Sequence, residues 1–352
     1  MPNNRIYYAI QAVKMKPCQT NDGGTSYTYA GTERVLRGIQ SIGITSNFNL
    51  EQVYQLGQVE LYDQVEEVPD IEVTLSKVID GTRLVYNVAN DGSTYGNSNG
   101  KNLAELTNRR CDVALGIWDD TRFITSGTAA YYVVCTGMYV SAVTYNFVTD
   151  GNLSEDVTLV GNHKKWSLNT GGGITSFSSG IGTTAETKRV ARRWSISRGD
   201  TLLPSGTGGG INGTWGSGLH VNSMTLSTTL GREAINELGR RTPYYRYVSF
   251  PVEVTAEFEV TATEGDNVDA DDFETQTGCE AAKATNLRDH AIKVVVCDAN
   301  VTPAATGYVI DLGTKNKLTS VNYTGGDTGG GNATITYSYQ TFNFFTVASP
   351  AV

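Results

Sequence analysis

Histidine is scarce in this 352-residue chain, and its three copies, His163, His220 and His290, stand apart without HxxxH or HExxH spacing. A clustered histidine metal site is therefore not expected. The five cysteines (Cys18, Cys111, Cys135, Cys279 and Cys297) are odd in number and form no CxxC pair. That excludes a zinc ribbon and a CxxC redox site, and it suits reduced, buried thiols in a protein made in a cytosol. No apolar run approaches the roughly 18 residues of a membrane helix, so no membrane insertion is expected. The opening "MPNNRIYYAIQAVKMKP" has no continuous apolar core and no small-residue cleavage site, so export is not expected either. Cations are also short: 27 Lys and Arg stand against 36 Asp and Glu, for a net charge of −9. Tight binding of nucleic acid requires clustered cations that displace counterions from phosphates, and this balance disfavours it. Transient passage of DNA is compatible with it.

The signatures of catalysis are missing as well. No GxSxG elbow occurs. "GNSNGKN" (96–102) has one residue too few between its glycines for a phosphate loop, and it places Asn102 where Ser or Thr would hold magnesium. "DNVDADDFE" (266–274) lacks the glycine and register of a calcium loop and reads as a solvated acidic loop. "RGD" (198–200) and the sequons at Asn212 and Asn322 carry no meaning without an extracellular setting. No acid/base pair, nucleophile or cofactor motif can be nominated, so an enzyme is not expected.

What the chain does contain is glycine (39), tyrosine (19) and 39% hydrophobic residues, a β-rich globular profile. Alternation is clear in several stretches. Ile71, Val73 and Leu75 oppose Glu72, Thr74 and Ser76; Val252, Val254, Ala256, Phe258 and Val260 oppose Glu253, Thr255, Glu257, Glu259 and Thr261. Over 35–50, Leu36, Ile42, Ile44, Phe48 and Leu50 are expected on a core face, with Ser41, Gly43, Thr45 and Asn47 opposite. Met224, Leu226 and Leu230 similarly oppose Ser223, Thr225, Ser227 and Thr229. The polar faces are small, hydroxylic and acidic.

These stretches repeat. "IQSIGITSNFNLEQVYQLG" (39–57) aligns without a gap to "VNSMTLSTTLGREAINELG" (221–239). "DIEVT" (70–74) matches "VEVT" (252–255) with Glu72 on Glu253, "CDVALGIWDD" (111–120) matches "AIKVVVCDAN" (291–300), and "VSAVTY" (140–145) matches "LTSVNY" (318–323). Four blocks in one order predict two copies of a domain. The expected organisation is a first domain over 1–162, a Gly/Ser-rich connector over 163–187 and a second domain over 188–352, where "RVARRWSIS" echoes "RIYYAIQAV". Each copy is expected to be an antiparallel β-sandwich or barrel with one short α-helix, "LAELTNRR" in the first and "CEAAKATNLRD" in the second. The connections 51–69 and 233–251 are long for hairpins and therefore candidates for function.

The block from Gly38 to Gly81, with the later "GMYVSAVTYNFVTDGNLSEDVTLVGNHKKW", resembles tail tube proteins of long-tailed bacteriophages. The resemblance covers most of 31–166 and, more faintly, 212–341. It implies no cofactor and a homo-oligomer: rings whose strands close an inner barrel, stacked into the conduit through which DNA leaves the capsid without tight binding. With two domains per chain, a trimeric, pseudo-hexameric ring is expected. It further implies a lumen lined by Ser41, Gly43, Thr45, Asn47, Glu72, Thr74 and Ser76, and by Ser223, Thr225, Ser227, Thr229, Glu253, Thr255, Glu257 and Glu259. Contacts between rings are expected at Tyr54, Gln55, Gln58, Glu60 and Tyr62, and at Asn236, Arg240, Arg241, Tyr244 and Tyr245. Implied partners are other tail proteins (tape measure, terminator, baseplate or tip, with or without a sheath), in a virion tail assembled in the host cytoplasm. The alternative is a virion decoration protein or a surface β-sandwich adhesin binding carbohydrate through Tyr244, Tyr245 and Tyr247.

Overall fold

The computed structural model describes residues 5–19, 28–29, 33–91, 100–107, 109–119, 129–168, 189–204, 219–263, 265, 268, 289–298, 305–326, 328 and 330–349. In the first half these form β1 (Gln11–Gln19), β2 (Thr28–Tyr29), β3 (Arg34–Val35), β4 (Ile39–Asn47), β5 (Leu50–Val53), β6 (Asp63–Glu66), β7 (Asp70–Val78), α1 (Val85–Ala89), α2 (Leu103–Leu106), β8 (Arg110–Ile117), β9 (Tyr131–Val148), β10 (Ser154–Gly161) and β11 (His163–Leu168). The second half holds β12 (Val221–Thr229), β13 (Arg232–Ile235), β14 (Tyr245–Val248), β15 (Glu253–Thr261), β16 (Lys293–Asp298), β17 (Ala305–Asp311), β18 (Lys317–Thr324), β19 (Thr334–Phe342) and β20 (Thr346–Ala348). The protein is mainly antiparallel β, as the alternation predicts.

One sheet runs through both halves in the order β18-β19-β15-β12-β9-β10-β7-β4. It divides into two groups of four with the same internal order, β9-β10-β7-β4 and β18-β19-β15-β12, and it is joined where β12 pairs with β9. The likeness extends to irregularities. The β4–β7 ladder shifts register between Ile39 and Ser41, and the β12–β15 ladder shifts between Val221 and Ser223. Bulges also fall at matching places in β9–β10 and β18–β19. The ladders correct one alignment: Thr45 pairs with Glu72 and Ser227 with Thr255, so the position matching Glu72 is Thr255, not Glu253. The Glu-Val-Thr identity had pulled the two sequences two residues out of register.

A second layer covers the apolar side of this sheet. In the first half, β1 and β8 pair with each other, and β8 and β11 both pair with the opening half of β9, an 18-residue strand that serves both layers. In the second half, β16, β17 and β20 form a three-stranded sheet. Val73, Leu75, Val157, Tyr145, Leu226 and Phe258 belong to one buried cluster that runs through both halves. Such continuous apolar burial is the main stabilising term. Residues 163–168, expected at the head of the connector, form β11 instead, and 169–187 lie outside the described residues.

Two further expectations are corrected. Phe48 and Leu50 are 71% and 50% exposed, not core, because the polypeptide leaves the sheet at Phe48–Asn49 and enters a separate two-stranded hairpin. The helices are also differently placed. The first candidate starts as α2, with Asn102 and Glu105 forming a reciprocal cap, whereas the second candidate, "CEAAKATNLRD", lies almost wholly outside the described residues. α1 was not anticipated, since all five of its residues are buried and no amphipathic period marks it.

The halves differ in what they bury. Glu155, on the core side of β10, accepts hydrogen bonds from the Val85 and Tyr86 backbone N–H groups at 2.6 and 3.1 Å, and from the Tyr145 hydroxyl at 2.9 Å. Burial nonetheless raises its carboxyl above the ordinary range. Lys77 is likewise buried, donating to Arg37 O, Asp80 Oδ1 and Thr82 Oγ1 at 2.6 to 2.9 Å. The ladder positions that correspond in the second half are Ile335 and Val260. In one half a buried carboxyl holds the start of α1 and a buried lysine is paired with Asp80, where the other half carries plain hydrocarbon at both positions.

Candidate functional site

Side chains alternate across a strand, so the face opposite the core collects the other half of every strand in the eight-strand sheet. Row by row it is polar. Ser41, Ser76, Asp156, Thr144, Ser227, Thr255 and Gln340 stand side by side across seven strands. The next row holds Gly43, Thr74, Thr158, Ala142 and Thr229. On the other side run Asn146, Thr225, Glu257, Ser338 and Ser320, then Ser223, Glu259, Thr336 and Asn322. Thr45, Asn47, Glu72 and Glu253 complete the set at one rim. The fifteen positions expected to line a lumen lie on this one face of the sheet.

Sequence reasoning missed half of this surface. The hairpins β9–β10 and β18–β19 contribute Thr144, Asn146, Asp156, Thr158, Thr336 and Ser338. The hydroxyl alternation of "EDVTLVG" and "TITYSYQ" was the available signal, but which strands adjoin is a long-range property that alternation does not encode. Carboxylates of Glu72, Asp156, Glu253, Glu257 and Glu259 are spread over the face, while Lys77, the cation of β7, points to the core. Ser227 and Thr255 hydroxyls bond at 2.7 Å, and Asn146 donates to Asp156 at 2.9 Å.

Both long connections are hairpin arms. β5 pairs with β6, and β13 with β14, each in its own two-stranded sheet. Each arm turns through a Leu-Gly tip, where Gly57 and Gly239 take φ of 85° and 83° and Leu56 and Leu238 are fully exposed. Only glycine adopts that conformation without strain. Four successive antiparallel steps separate β4 from β12, so both strands run the same way and both arms leave from one rim of the sheet.

The arms differ in what they touch. In the second, the base of the arm packs against the first half: Arg232 donates to Val140 O at 2.9 Å and to Thr107 O at 2.5 Å, while Arg246 reaches Asp70 at 2.5 Å and Asn162 at 3.1 Å. Tyr245 meets Tyr139 edge-on at 5.9 Å, Arg240 covers the Tyr244 ring at 5.7 Å, and Tyr247 bonds Glu233 at 2.8 Å. Asn236 and Arg241 are exposed near its tip. In the first arm Tyr54, Gln55, Gln58, Glu60 and Tyr62 are all exposed, together with Val59 and Leu61.

Strands β4 and β18 end the sheet. Their side chains are uncovered where the corresponding ones at the β12–β9 joint are buried. Tyr145 in β9 is 0% exposed, and its counterpart Tyr323 in β18 is 53% exposed. Met224 and Leu226 in β12 are buried, whereas Ile42 and Ile44 in β4 are half-exposed.

Among the described residues no group of three or more His, Cys, Asp or Glu could hold a metal, and no helix is long and apolar enough to cross a membrane. No protein-family model matches the chain, and no curated protein matches it.

Proposed function

We propose that this chain is the subunit of a phage-type tail tube: three copies close a ring whose continuous inner barrel is formed by the eight-strand sheets, and rings stack into a conduit for DNA. The observation that carries this reading is the β12–β9 joint. It unites two like groups of strands edge to edge and leaves at the two ends a β4-type edge and a β9-type edge, the same two kinds of edge that meet at the joint. Pairing β4 of one copy with β18 of the next repeats the internal joint between chains. A head-to-tail contact of this kind generates a ring when the rotation closes. Closure also removes the hazard of β4, a nine-residue edge strand "IQSIGITSN" without a single charge.

The polar face then lines the channel. Its carboxylates repel phosphate, and Lys317, which ends the Gln340 row, is paired with Asp289 at 2.5 Å and stands apart from any cluster of cations, so DNA slides instead of binding. The pairing of a duplicated domain with a trimeric ring makes the sixfold symmetry approximate. The direct test is negative-stain microscopy of the purified protein at rising concentration. Hollow tubes of stacked rings support the reading; compact monomers that bind a glycan column would favour the adhesin alternative instead.

A further inference from the structure

Packing of the second arm against the neighbouring half leaves its tip bare: Leu238 is fully exposed even though Arg232 and Arg246 are seated. Lateral contact of the kind made at the internal joint therefore does not cover an arm tip, and Leu56 in the first arm is fully exposed as well. In the first arm Leu56 is exposed together with Tyr54, Val59 and Tyr62, and an apolar patch of this kind marks a contact with another molecule.

The opposite rim offers a socket. A cleft of about 490 Å³ opens where β9 ends and β12 begins, lined by Phe147, Met224, Ile196, Trp194, Arg193 and Arg198. Trp194 is 72% exposed. The stretch 189–198, "RVARRWSISR", carries four arginines and no acid in a chain of net charge −9. Arg193 is paired with Asp150 at 3.7 Å, but both side chains are largely solvated, and such pairs contribute little and exchange readily.

Charge selects which arm fits. Residues 50–70 of the first arm hold Glu51, Glu60, Asp63, Glu66, Glu67 and Asp70 and no Lys or Arg, whereas the second arm carries Arg240 and Arg241 beside its tip. Of these acids, Asp70 and Glu66 face Arg246 and Arg241 of the second arm, and Glu60 and Asp63 lie nearer the tip of the first. We infer that the Leu56 tip of the acidic first arm docks in the Trp194–Arg193–Arg198 cleft of a second copy in the adjoining ring. Leucine and valine meet tryptophan and the partly exposed Ile196, and Glu60 and Asp63 meet the arginines. The inference rests on the ring reading above. It adds that the two arm types are not interchangeable, so rings stack in one phase although their domains are nearly sixfold.

Charge exchange tests it. Arg193→Glu with Arg198→Glu should leave rings intact by sedimentation while raising the protein concentration needed for stacking at least about tenfold at low salt. Adding Glu60→Arg and Asp63→Arg in the same chain should restore tubes, and adding Arg240→Glu and Arg241→Glu should not. Trp194→Ala should weaken stacking in the same way without changing charge. Tubes forming at an unchanged threshold in the Arg193/Arg198 variant, or rescue through the second arm alone, would overturn the socket while leaving the rings standing. Monomers only, in wild type and variants alike, would overturn the ring reading and the socket with it.

Discussion

The guanidinium carbon of Arg232 lies 5.0 Å from the centre of the Tyr139 ring, with its Nε and Nη1 donating to Val140 O and Thr107 O. One side chain thus ties the second arm to the first half. Burial lowers its pKa to about 10, a shift partly offset by the surrounding tyrosines. The matching position in the first arm is Leu50, and the position matching Tyr139 is Lys317. Arg232→Leu leaves two carbonyls without their donor and removes the cation over the ring. It should destabilise the protein by about 2–4 kcal/mol, read from the midpoint of urea denaturation.

Glu155 gives a pH signature. An unfolded glutamate titrates near about 4.3, and burial raises the folded value. A raised carboxyl contributes stability that is fully present below the unfolded value and is lost as pH rises through the folded one. Glu155→Gln stays neutral throughout. The stability of wild type relative to this variant should therefore fall as pH rises above the unfolded value of about 4.3. A difference that stays flat above that value in urea titrations would contradict the assignment.

The polar face can be inverted without touching the core. Changing Glu72, Glu253, Glu257 and Glu259 to Lys places cations along the surface proposed to line the channel. Tails should assemble and eject DNA more slowly, because phosphate is held instead of repelled. Ejection kinetics measured on purified virions decide it, and unchanged rates would remove the lumen assignment.

Shortening the first arm separates ring formation from stacking. Val53 pairs with Asp63 at the end of the ladder and the Tyr62 N–H bonds Val53 O at 3.0 Å, so replacing residues 54–61 by Asn-Gly closes the hairpin with a three-residue loop. Soluble rings that no longer polymerise are expected by sedimentation; normal tubes would show that the tip has no role in stacking.

Much of this was legible in the sequence because a strand with one buried face writes its period directly, as in Ile71, Val73 and Leu75. The likeness of the two groups of strands was legible too, since both bury the same kind of apolar face and both arms turn at a Leu-Gly tip. What escaped detection was non-local. Phe48 and Leu50 continue the apolar period of β4, but the core ends beneath Asn47. The membership of β9–β10 and β18–β19 in the same sheet depends on pairings tens of residues apart. The cleft at Trp194 brings an arginine-rich turn to the end of a joint between halves, a juxtaposition that neither segment announces alone.

In the proposed ring, β4 of one copy pairs with β18 of the next in the register of the internal joint. There Ser227 faces Thr144, and the corresponding positions are Thr45 and Asn322. A chain carrying both Thr45→Cys and Asn322→Cys should, on mild oxidation, give a covalent ladder that stops at three chains under denaturing conditions. Neither single variant should do so. A double variant that oxidises no differently from the single ones, while remaining folded, would contradict the account.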